Sequence, residues 1–220
     1  MYTPAITGTG VFTPAQVITN AELVKAFNAY VDIYNAENAA QIAAGDVPAK
    51  EYSSEEFVFK ASGINQRYVL DKKGILDPHV MHPLLRQRSD DEPSQMAEMA
   101  LDAALKALEA AGKTAADVDA VICAASNLER AYPAVAIEIQ NLLQINGFAF
   151  DMNVACSSAT FGIQAAADMI RSGSIRSALV VNPEICSAHL EWRDRDCHFI
   201  FGDVATATLI ERADAATGPY

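Results

Sequence analysis

The stretch Asp151-Met-Asn-Val-Ala-Cys-Ser-Ser-Ala-Thr160 decides the fold, because an apolar strand ends and a helix begins within it. Cys156 lies at this junction. The first turn of a helix leaves N–H groups unpaired and carries the positive end of the helix dipole, and both favour a thiolate over a thiol. The position therefore predicts a nucleophilic cysteine. The alternative is a buried cysteine that serves only as a small apolar side chain.

Apolar runs and helical spacing continue on both sides of this junction. Residues 118–126 and 178–182 are short apolar runs that predict buried strands. Between Ser94 and Gly112, apolar side chains recur every three or four residues, which predicts a capped helix. The helix after Cys156 carries apolar residues around most of its circumference and is predicted to be buried on all sides. Strands that alternate with helices predict an α/β fold with a largely parallel sheet.

The same reasoning predicts the remaining elements. Further strands are predicted at residues 5–12, 67–70, 148–154, 199–203 and 205–210, the last two as a bent pair. Further helices are predicted to begin at Thr19 or Asn20, at Ser53 or Ser54, and at Pro133, and the first of them is predicted to extend as far as Ala44.

Two segments are predicted to be insertions. Residues 30–50 are rich in alanine and loosely patterned. Residues 71–93 contain three prolines and a charged run from Arg86 to Glu92, which is typical of a solvated loop. The alternative for the second segment is a loop over a pocket mouth or a dimer surface.

Composition excludes several classes of function. The 220 residues are 51% hydrophobic and 20% charged, as in ordinary soluble domains, and the formal net charge of −12 argues against a nucleic-acid binder. No apolar run is long enough to span a bilayer, and the N-terminus lacks the pattern of a signal peptide. The four cysteines are far apart and show no zinc-binding spacing, so we expect reduced thiols, no metal site and a cytoplasmic protein.

Several short motifs occur in a characteristic order, and together they point to a family. They are Gly8-Thr-Gly10, Ser62-Gly-Ile64 with Arg67, Ala131-Tyr-Pro-Ala134, Asn153-Val-Ala-Cys-Ser-Ser-Ala159, Asp194-Arg195 and Phe201-Gly-Asp203. In this order they resemble the N-terminal half of a thiolase-fold condensing enzyme, and most closely the β-ketoacyl-acyl-carrier-protein synthase III family. The resemblance extends over nearly the whole chain. It implies one N-terminal thiolase-like domain over residues 1–220, a mostly parallel five-stranded mixed sheet with a buried central helix, and it implies that the C-terminal half of the family fold is absent.

The resemblance implies an acyltransferase of fatty-acid synthesis. Cys156 would take an acyl group from acyl-CoA, with backbone N–H groups, including its own, stabilising the oxyanion. The acyl group would then condense with malonyl-carrier protein, a step for which the family uses a histidine and an asparagine from its other half. The chain's four histidines are His79, His82, His189 and His198, and none lies in a matching context, so we expect structural or surface roles for them. The implied partners are acyl-CoA, acyl carrier protein and a second copy of the chain, with no cofactor, nucleic acid or membrane.

Departures from the family pattern concern the substrate. Members that use acetyl-CoA carry a tryptophan and an arginine that clamp the adenine, and by spacing Phe57 and Ala61 stand at those positions. Tyr132 corresponds to the aromatic residue that caps the acyl pocket across the family's dimer interface, although a core residue beside Pro133 is the alternative. Ser157, next to the nucleophile, is also assigned to substrate binding. Longer insertions and small residues favour a medium-chain primer such as octanoyl, as in the β-ketodecanoyl-forming subgroup.

Other functions remain compatible with the sequence. A thiolase, a hydroxymethylglutaryl-CoA synthase-like enzyme or a secondary-metabolite acyltransferase would also place a cysteine at this position. A non-catalytic subunit of a heterodimer is a different class, and the presence of Cys156 argues against it.

Overall fold

The computed structural model of the chain describes residues 1–216. Its contacts divide into two compact units. The sheet unit comprises residues 1–13, 87–184 and 204 onwards, and the helical unit comprises residues 14–86 and 185–203. The prediction of a single domain with insertions stays a prediction.

Seven strands and seven helices are described within residues 1–216. The strands are β1 Pro4–Phe12, β2 Gln16–Thr19, β3 Gln66–Val69, β4 Ala120–Ala124, β5 Phe148–Met152, β6 Ser177–Ile185 and β7 Asp203–Arg212. The helices are α1 Asn20–Glu37, α2 Ala39–Ala44, α3 Glu55–Ser62, α4 Lys72–Leu76, α5 Gln95–Ala111, α6 Val135–Leu143 and α7 Ser158–Ser172. None of these helices is both long enough and apolar enough to cross a bilayer.

The sheet unit is built on five strands in the order β1-β7-β6-β4-β5. β4 is parallel to both of its neighbours, so that Ile122 lies opposite Phe150 on β5 and Val180 on β6. All five residues of β4 are buried, as expected for a central strand that is covered on both faces. β1 and β7 are antiparallel, which makes the sheet mixed and confirms the predicted fold class.

The two glycines of β1 allow α5 to pack directly on that strand. A Cβ atom at Gly8 would collide with the carbonyl oxygen of Ala107, and one at Gly10 would collide with that of Ala103. Only glycine permits such a close approach of two backbones. This contact explains the motif Gly8-Thr-Gly10 in physical terms.

The predictions for α7 and for the residues before β7 are wrong. Only one face of α7 is buried, formed by Ser158, Gly162, Ala166, Ala167 and Ile170. The small residues face the sheet, where a Cβ at Gly162 would lie 2.9 Å from Ala124 Cβ, while Phe161 points away and is 52% exposed. The predicted strand at residues 199–203 is also wrong, because β7 begins only at Asp203. The predicted strand at residues 205–210 is confirmed within β7, but it pairs with β1 and not with the residues before it.

The helical unit has its own apolar core, which includes Phe27, Trp192 and Phe199. The burial of Phe199 in that core explains why the residues just before β7 do not form a strand. α1 begins after Thr19, close to the predicted start, with a capping box between Thr19 and Glu22. It ends at Glu37, and α2 follows it. The predicted insertion at residues 30–50 is therefore helical for most of its length, because its alanines favour helix.

The second predicted insertion contains one short helix. α4 is capped by Asp71, whose carboxylate accepts the N–H groups of Lys73 and Gly74 at 3.0 and 3.1 Å. β2 and β3 form a separate antiparallel pair. The sequence did not predict β2, which is only four residues long and whose pairing partner lies about fifty residues away along the chain.

Candidate active site

Cys156 lies in a tight turn of the sheet unit, between the end of β5 and the start of α7. Ala155, just before it, has a φ of +49°, which is uncommon for a residue with a Cβ atom. Ser157 is the N-cap residue of α7, and its side chain makes no capping hydrogen bond. Cys156 itself is exposed. The alternative of a buried cysteine is therefore wrong for this chain.

The hydroxyl of Ser158 holds this turn together. Its Oγ accepts the N–H of Val154 at 2.8 Å and lies within hydrogen-bond distance of the carbonyl oxygens of Ala155 and Ala125, at 2.8 and 3.2 Å. Ser158 is 3% exposed, so water does not compete for these bonds. The turn is thus tied to the residue that follows β4. No local sequence pattern marks this role of Ser158, which only the contact with Ala125 reveals.

Asn153 provides a second tie. Its side-chain oxygen accepts the N–H of Ala155 at 2.9 Å, and its amide nitrogen donates to the carbonyl oxygen of Ser126 at 2.8 Å. An Asx turn of this kind stabilises a backbone that departs from regular structure. Together with Ser158, Asn153 offsets the unfavourable φ of Ala155.

The N–H group of Cys156 remains available inside this turn. The neighbouring N–H of Ala155 donates to Asn153, and that of Ser157 donates to the carbonyl oxygen of Val154 at 3.1 Å. The N–H of Cys156 donates to no atom of residues 1–216. An unpaired backbone donor next to a nucleophile is the group that an oxyanion requires.

The other cysteines have different surroundings. Cys123 lies inside β4 with 0% exposure, and burial, with the nearby charge of Asp151, raises the pKa of its thiol well above the usual value. Burial and the neighbouring Asp194 also raise the pKa of Cys197. Cys186 is partly exposed, and none of the four cysteines forms a disulfide. Cys156 therefore offers the most accessible sulfur.

A loop after β4 runs beside the cysteine turn and carries Tyr132. The loop begins at Ser126, whose N–H and hydroxyl donate to the carboxylate of Glu184 at 2.5 and 2.7 Å. Tyr132 is 91% exposed, so the alternative of a core residue is wrong for this chain. Its role as the cap of an acyl pocket stays a prediction.

Phe57 lies in the helical unit, on α3. The guanidinium carbon of Arg195 lies 3.9 Å from the centre of its ring, a close cation–π contact. Arg195 is held there by a 2.8 Å hydrogen bond from its Nε to the carbonyl oxygen of Tyr52. Ala61 is exposed and supplies no cation. The cation beside Phe57 therefore comes from the motif Asp194-Arg195, which spacing around Phe57 alone could not reveal.

Arg195 also lines an open cavity of about 560 Å³ in the helical unit. Its other charged lining residues are Lys50, Arg193, Glu51, Glu191, Asp194 and Asp196, so the lining carries both signs of charge. Lys50 and Arg193 both lie over the ring of Tyr30, at 5.5 and 5.6 Å from its centre.

The histidines also lie in the helical unit, and their positions fit the expected structural or surface roles. His79, His82 and His189 are exposed. His198 is fully buried and stacks on Phe27 with ring centres 4.5 Å apart, and burial lowers its pKa to about 4. It is therefore neutral at pH 7. Within residues 1–216 no group of three His, Cys, Asp or Glu side chains could hold a metal ion.

Comparisons with known proteins agree with this arrangement. Residues 150–219, which include the cysteine turn and β7, match the family of 3-oxoacyl-[acyl-carrier-protein] synthase III. The chain is 55% identical over 197 residues to β-ketodecanoyl-[acyl-carrier-protein] synthase of Pseudomonas aeruginosa, covering 90% of this chain and 56% of that protein. It is 31% identical over 214 residues to β-ketoacyl-[acyl-carrier-protein] synthase III of Paramagnetospirillum magneticum, covering 97% of this chain and 52% of that protein.

The fold comparison gives the same result. The crystal structure of 3-oxoacyl-[acyl-carrier-protein] synthase III from Aquifex aeolicus superposes with a TM-score of 0.73 at 25% identity, over 96% of this chain and 54% of that one. The chain thus spans about half the length of the proteins that it matches. It belongs to the β-ketoacyl-acyl-carrier-protein synthase III family and has the thiolase fold of that family.

Proposed function

We propose that this chain supplies the acyl-accepting cysteine of a β-ketoacyl-acyl-carrier-protein synthase. The observation that carries the proposal is the turn at Cys156, which combines an exposed thiol with an unpaired N–H group of the same residue. The sulfur attacks the thioester carbonyl carbon of acyl-CoA, and the negative charge on the carbonyl oxygen is met by that N–H. The carbon–sulfur bond to CoA then breaks, CoA leaves as a thiolate that takes up a proton, and Cys156 holds the acyl group.

The second step is a decarboxylative condensation. Malonyl-carrier protein loses carbon dioxide, the resulting carbanion attacks the acyl carbon, and the sulfur of Cys156 leaves with the electron pair. The product is a β-ketoacyl-carrier protein. The described residues provide the acyl-cysteine for this step. None of the four histidines lies in the sheet unit with Cys156.

A medium-chain acyl group is the proposed primer. The relative from Pseudomonas aeruginosa, 55% identical to this chain, is named for a β-ketodecanoyl product. A β-ketodecanoyl group is an octanoyl group extended by two carbons. Octanoyl-CoA is therefore the primer that we propose for this protein.

Four residues are proposed to bind the substrate. Phe57 and Arg195 bind the nucleotide end of acyl-CoA, since a ring and a guanidinium in contact form a surface on which an adenine can stack. Ser157, exposed beside the nucleophile, contacts the thioester. Tyr132 caps the acyl chain that is bound to a second copy, which makes a homodimer the proposed assembly. The exposed apolar residues Phe148 and Phe161 of the sheet unit support an interface of this kind.

The proposed partners are acyl-CoA and acyl carrier protein in the cytoplasm, and no cofactor takes part. The chemistry requires none, because the thioester supplies an activated acyl group and the loss of carbon dioxide supplies the carbanion.

Mass spectrometry of the intact protein tests the first step. The protein is incubated with acetyl-, octanoyl- or dodecanoyl-CoA, and the adduct is located by peptide mapping. We expect an acyl adduct on Cys156 that forms fastest with octanoyl-CoA. A strong preference for acetyl-CoA would contradict the proposed primer. No adduct with any of the three would contradict the enzyme and favour a non-catalytic subunit.

A further inference from the structure

The first turn of α6 has no local cap. The N-cap position is Ala134, whose methyl group cannot accept a hydrogen bond. The first N–H groups of a helix have no partner within the helix and need one from elsewhere. In α6 that partner comes from another strand.

Asp151 on β5 provides this cap. Its two carboxylate oxygens accept the N–H groups of Val135 and Ala136 at 3.0 and 2.8 Å. Burial raises the pKa of Asp151, and the nearby charge of Glu138 adds to this effect. A serine at position 134 would satisfy the same groups without burying a carboxylate. The distant cap therefore does something besides capping: it ties the start of α6 to β5.

The remainder of the loop before α6 is tied down as well. Its first residue, Ser126, makes two hydrogen bonds to Glu184 on β6. Further along, the carboxylate of Glu129 accepts the N–H of Met96 at 3.0 Å. These bonds fix the first half of the loop to β6 and α5.

The second half of the loop is held from α6 and α5. Arg130 lies 3.3 Å from the carboxylate of Glu138, and the same carboxylate accepts the N–H and hydroxyl of Ser94 at 3.0 and 2.6 Å. Tyr132 lies between these ties and the cap at Val135, yet it is 91% exposed. A loop that is fixed on both sides holds its exposed tip in one position.

We propose that Asp151 is a positioning residue for acyl-chain selection: its bonds to the start of α6 set the place at which Tyr132 meets the acyl chain. This inference rests on the proposed function. Asp151 lies five residues before Cys156 on the same segment, so one strand carries both the cap and the turn of the nucleophile. In a homodimer, a displaced Tyr132 changes both acyl pockets. A displacement of about 1 Å can change a rate by about a hundredfold.

Asp119 offers a matched control. One of its carboxylate oxygens accepts the N–H groups of Arg176 and Ser177 at 2.7 and 3.2 Å, so Asp119, like Asp151, accepts two consecutive backbone N–H groups. It precedes β4 at the amino end of the parallel strands, whereas Cys156 follows the carboxyl end of β5. Loss of its carboxylate tests the cost of losing two such hydrogen bonds far from the proposed pocket.

The experiment compares Asp151→Ala and Asp119→Ala in the intact protein, because alanine has no acceptor and removes the hydrogen bonds completely. Acylation rates of Cys156 are measured with octanoyl- and dodecanoyl-CoA, and the melting temperature is measured alongside. We expect Asp151→Ala to change the ratio of the two rates by about tenfold or more, and Asp119→Ala to leave it within about twofold. An unchanged ratio in Asp151→Ala overturns the inference alone. A wild-type protein that accepts no acyl group overturns the proposed function and the inference with it.

A second variant separates the positioning of Tyr132 from the capping of α6. It also shows whether a changed rate ratio results only from lower stability. Ala134→Ser in the Asp151→Ala background gives α6 a local cap but leaves it untied from β5. We expect the melting temperature to recover while the rate ratio stays changed. Recovery of the ratio would show that any cap suffices and would overturn the inference.

Discussion

The turn at Cys156 and the core of the helical unit differ in how their polar groups are hydrogen-bonded. In the turn, backbone and side-chain groups are bonded to each other, and the thiol is left at the surface. In the helical unit, His198 and Arg67 are buried, and each keeps a nitrogen, Nε2 and Nε respectively, with no hydrogen-bond partner in residues 1–216. The first arrangement holds a reactive group in place without burying it. In the second, buried nitrogens without partners reduce the stability of the core.

This difference predicts that substitutions in the turn change the chemistry, whereas those in the helical core change stability. Arg67 illustrates the second case. It donates to the carbonyl oxygen of Ile18 and to Asn20 at 3.2 and 2.7 Å, and burial lowers its pKa to about 10. Such a residue connects several segments of a core and is costly to leave without its partners.

The largest effect is expected at the nucleophile. Cys156→Ala should abolish acylation, because alanine has no sulfur to attack the thioester, and should change the free energy of unfolding by less than about 1 kcal/mol, since the side chain is exposed. Intact mass and urea unfolding measure the two quantities. Cys197→Ala is the control in the helical unit and should retain acylation. Residual acylation of Cys156→Ala at the wild-type rate would place the nucleophile elsewhere.

The next effect concerns pH and stability. His198 has a folded pKa of about 4 against an ordinary value of 6.5, so the folded state resists protonation. Its contribution is fully present above pH 6.5 and is lost as the pH falls towards 4, by up to about 3 kcal/mol. His198→Asn should remove this part of the pH dependence, measured as the difference between wild-type and variant unfolding free energies at pH 7 and pH 4.5.

The exposed His189 provides the control for that measurement. His189→Asn should leave the pH dependence as in the wild type. If His198→Asn and the wild type lose equal stability between pH 7 and pH 4.5, then the buried histidine does not carry the expected cost.

A smaller effect is expected in thiol labelling. Cys156 should react with iodoacetamide at least about tenfold faster than Cys123 in the native protein, because Cys123 is fully buried and its thiol pKa is raised. Peptide mapping after short labelling times gives both rates. Equal labelling rates would contradict this prediction. They would mean that the sheet unit opens often enough to expose Cys123 to the reagent as much as Cys156.

The smallest effect is expected at the aromatic pair of the helical unit. Arg195→Ala should raise the KM for octanoyl-CoA about fivefold, which corresponds to about 1 kcal/mol for a cation–π contact. The effect should disappear with octanoyl-pantetheine, which lacks the nucleotide. Arg193→Ala, which removes a cation over Tyr30 instead of Phe57, is the matched control. An equal rise in KM with both thioesters would contradict nucleotide binding at Phe57.

Local features of the fold were predictable from the sequence because neighbouring residues cause them. Ser54 caps α3 and Ser94 caps α5 as expected, since a hydroxyl bonds to N–H groups three residues away. The apolar run of β4 marked a central strand. The motif around Cys156 was sufficient to identify the turn between strand and helix.

Contacts between distant residues were not predictable in this way. By spacing, Ala61 stands where the family has the cation that accompanies Phe57. In the structure, the cation beside the ring of Phe57 belongs to Arg195, far along the chain. The apolar pattern of α7 suggested burial on all sides, whereas in this chain only its small residues face the sheet. A pattern of side chains shows which faces are apolar, but it does not show what covers each of them.

By itself, the sequence determined that this is an α/β protein whose Cys156 lies between a strand and a helix, because periodicity and capping act over a few residues. Only the tertiary structure decided how the turn is tied by Ser158 to Ala125, how Asp151 caps α6, and which cation lies over Phe57. Each of these contacts joins residues that are far apart along the chain. They form only when the strands and helices pack, and so they depend on the whole fold.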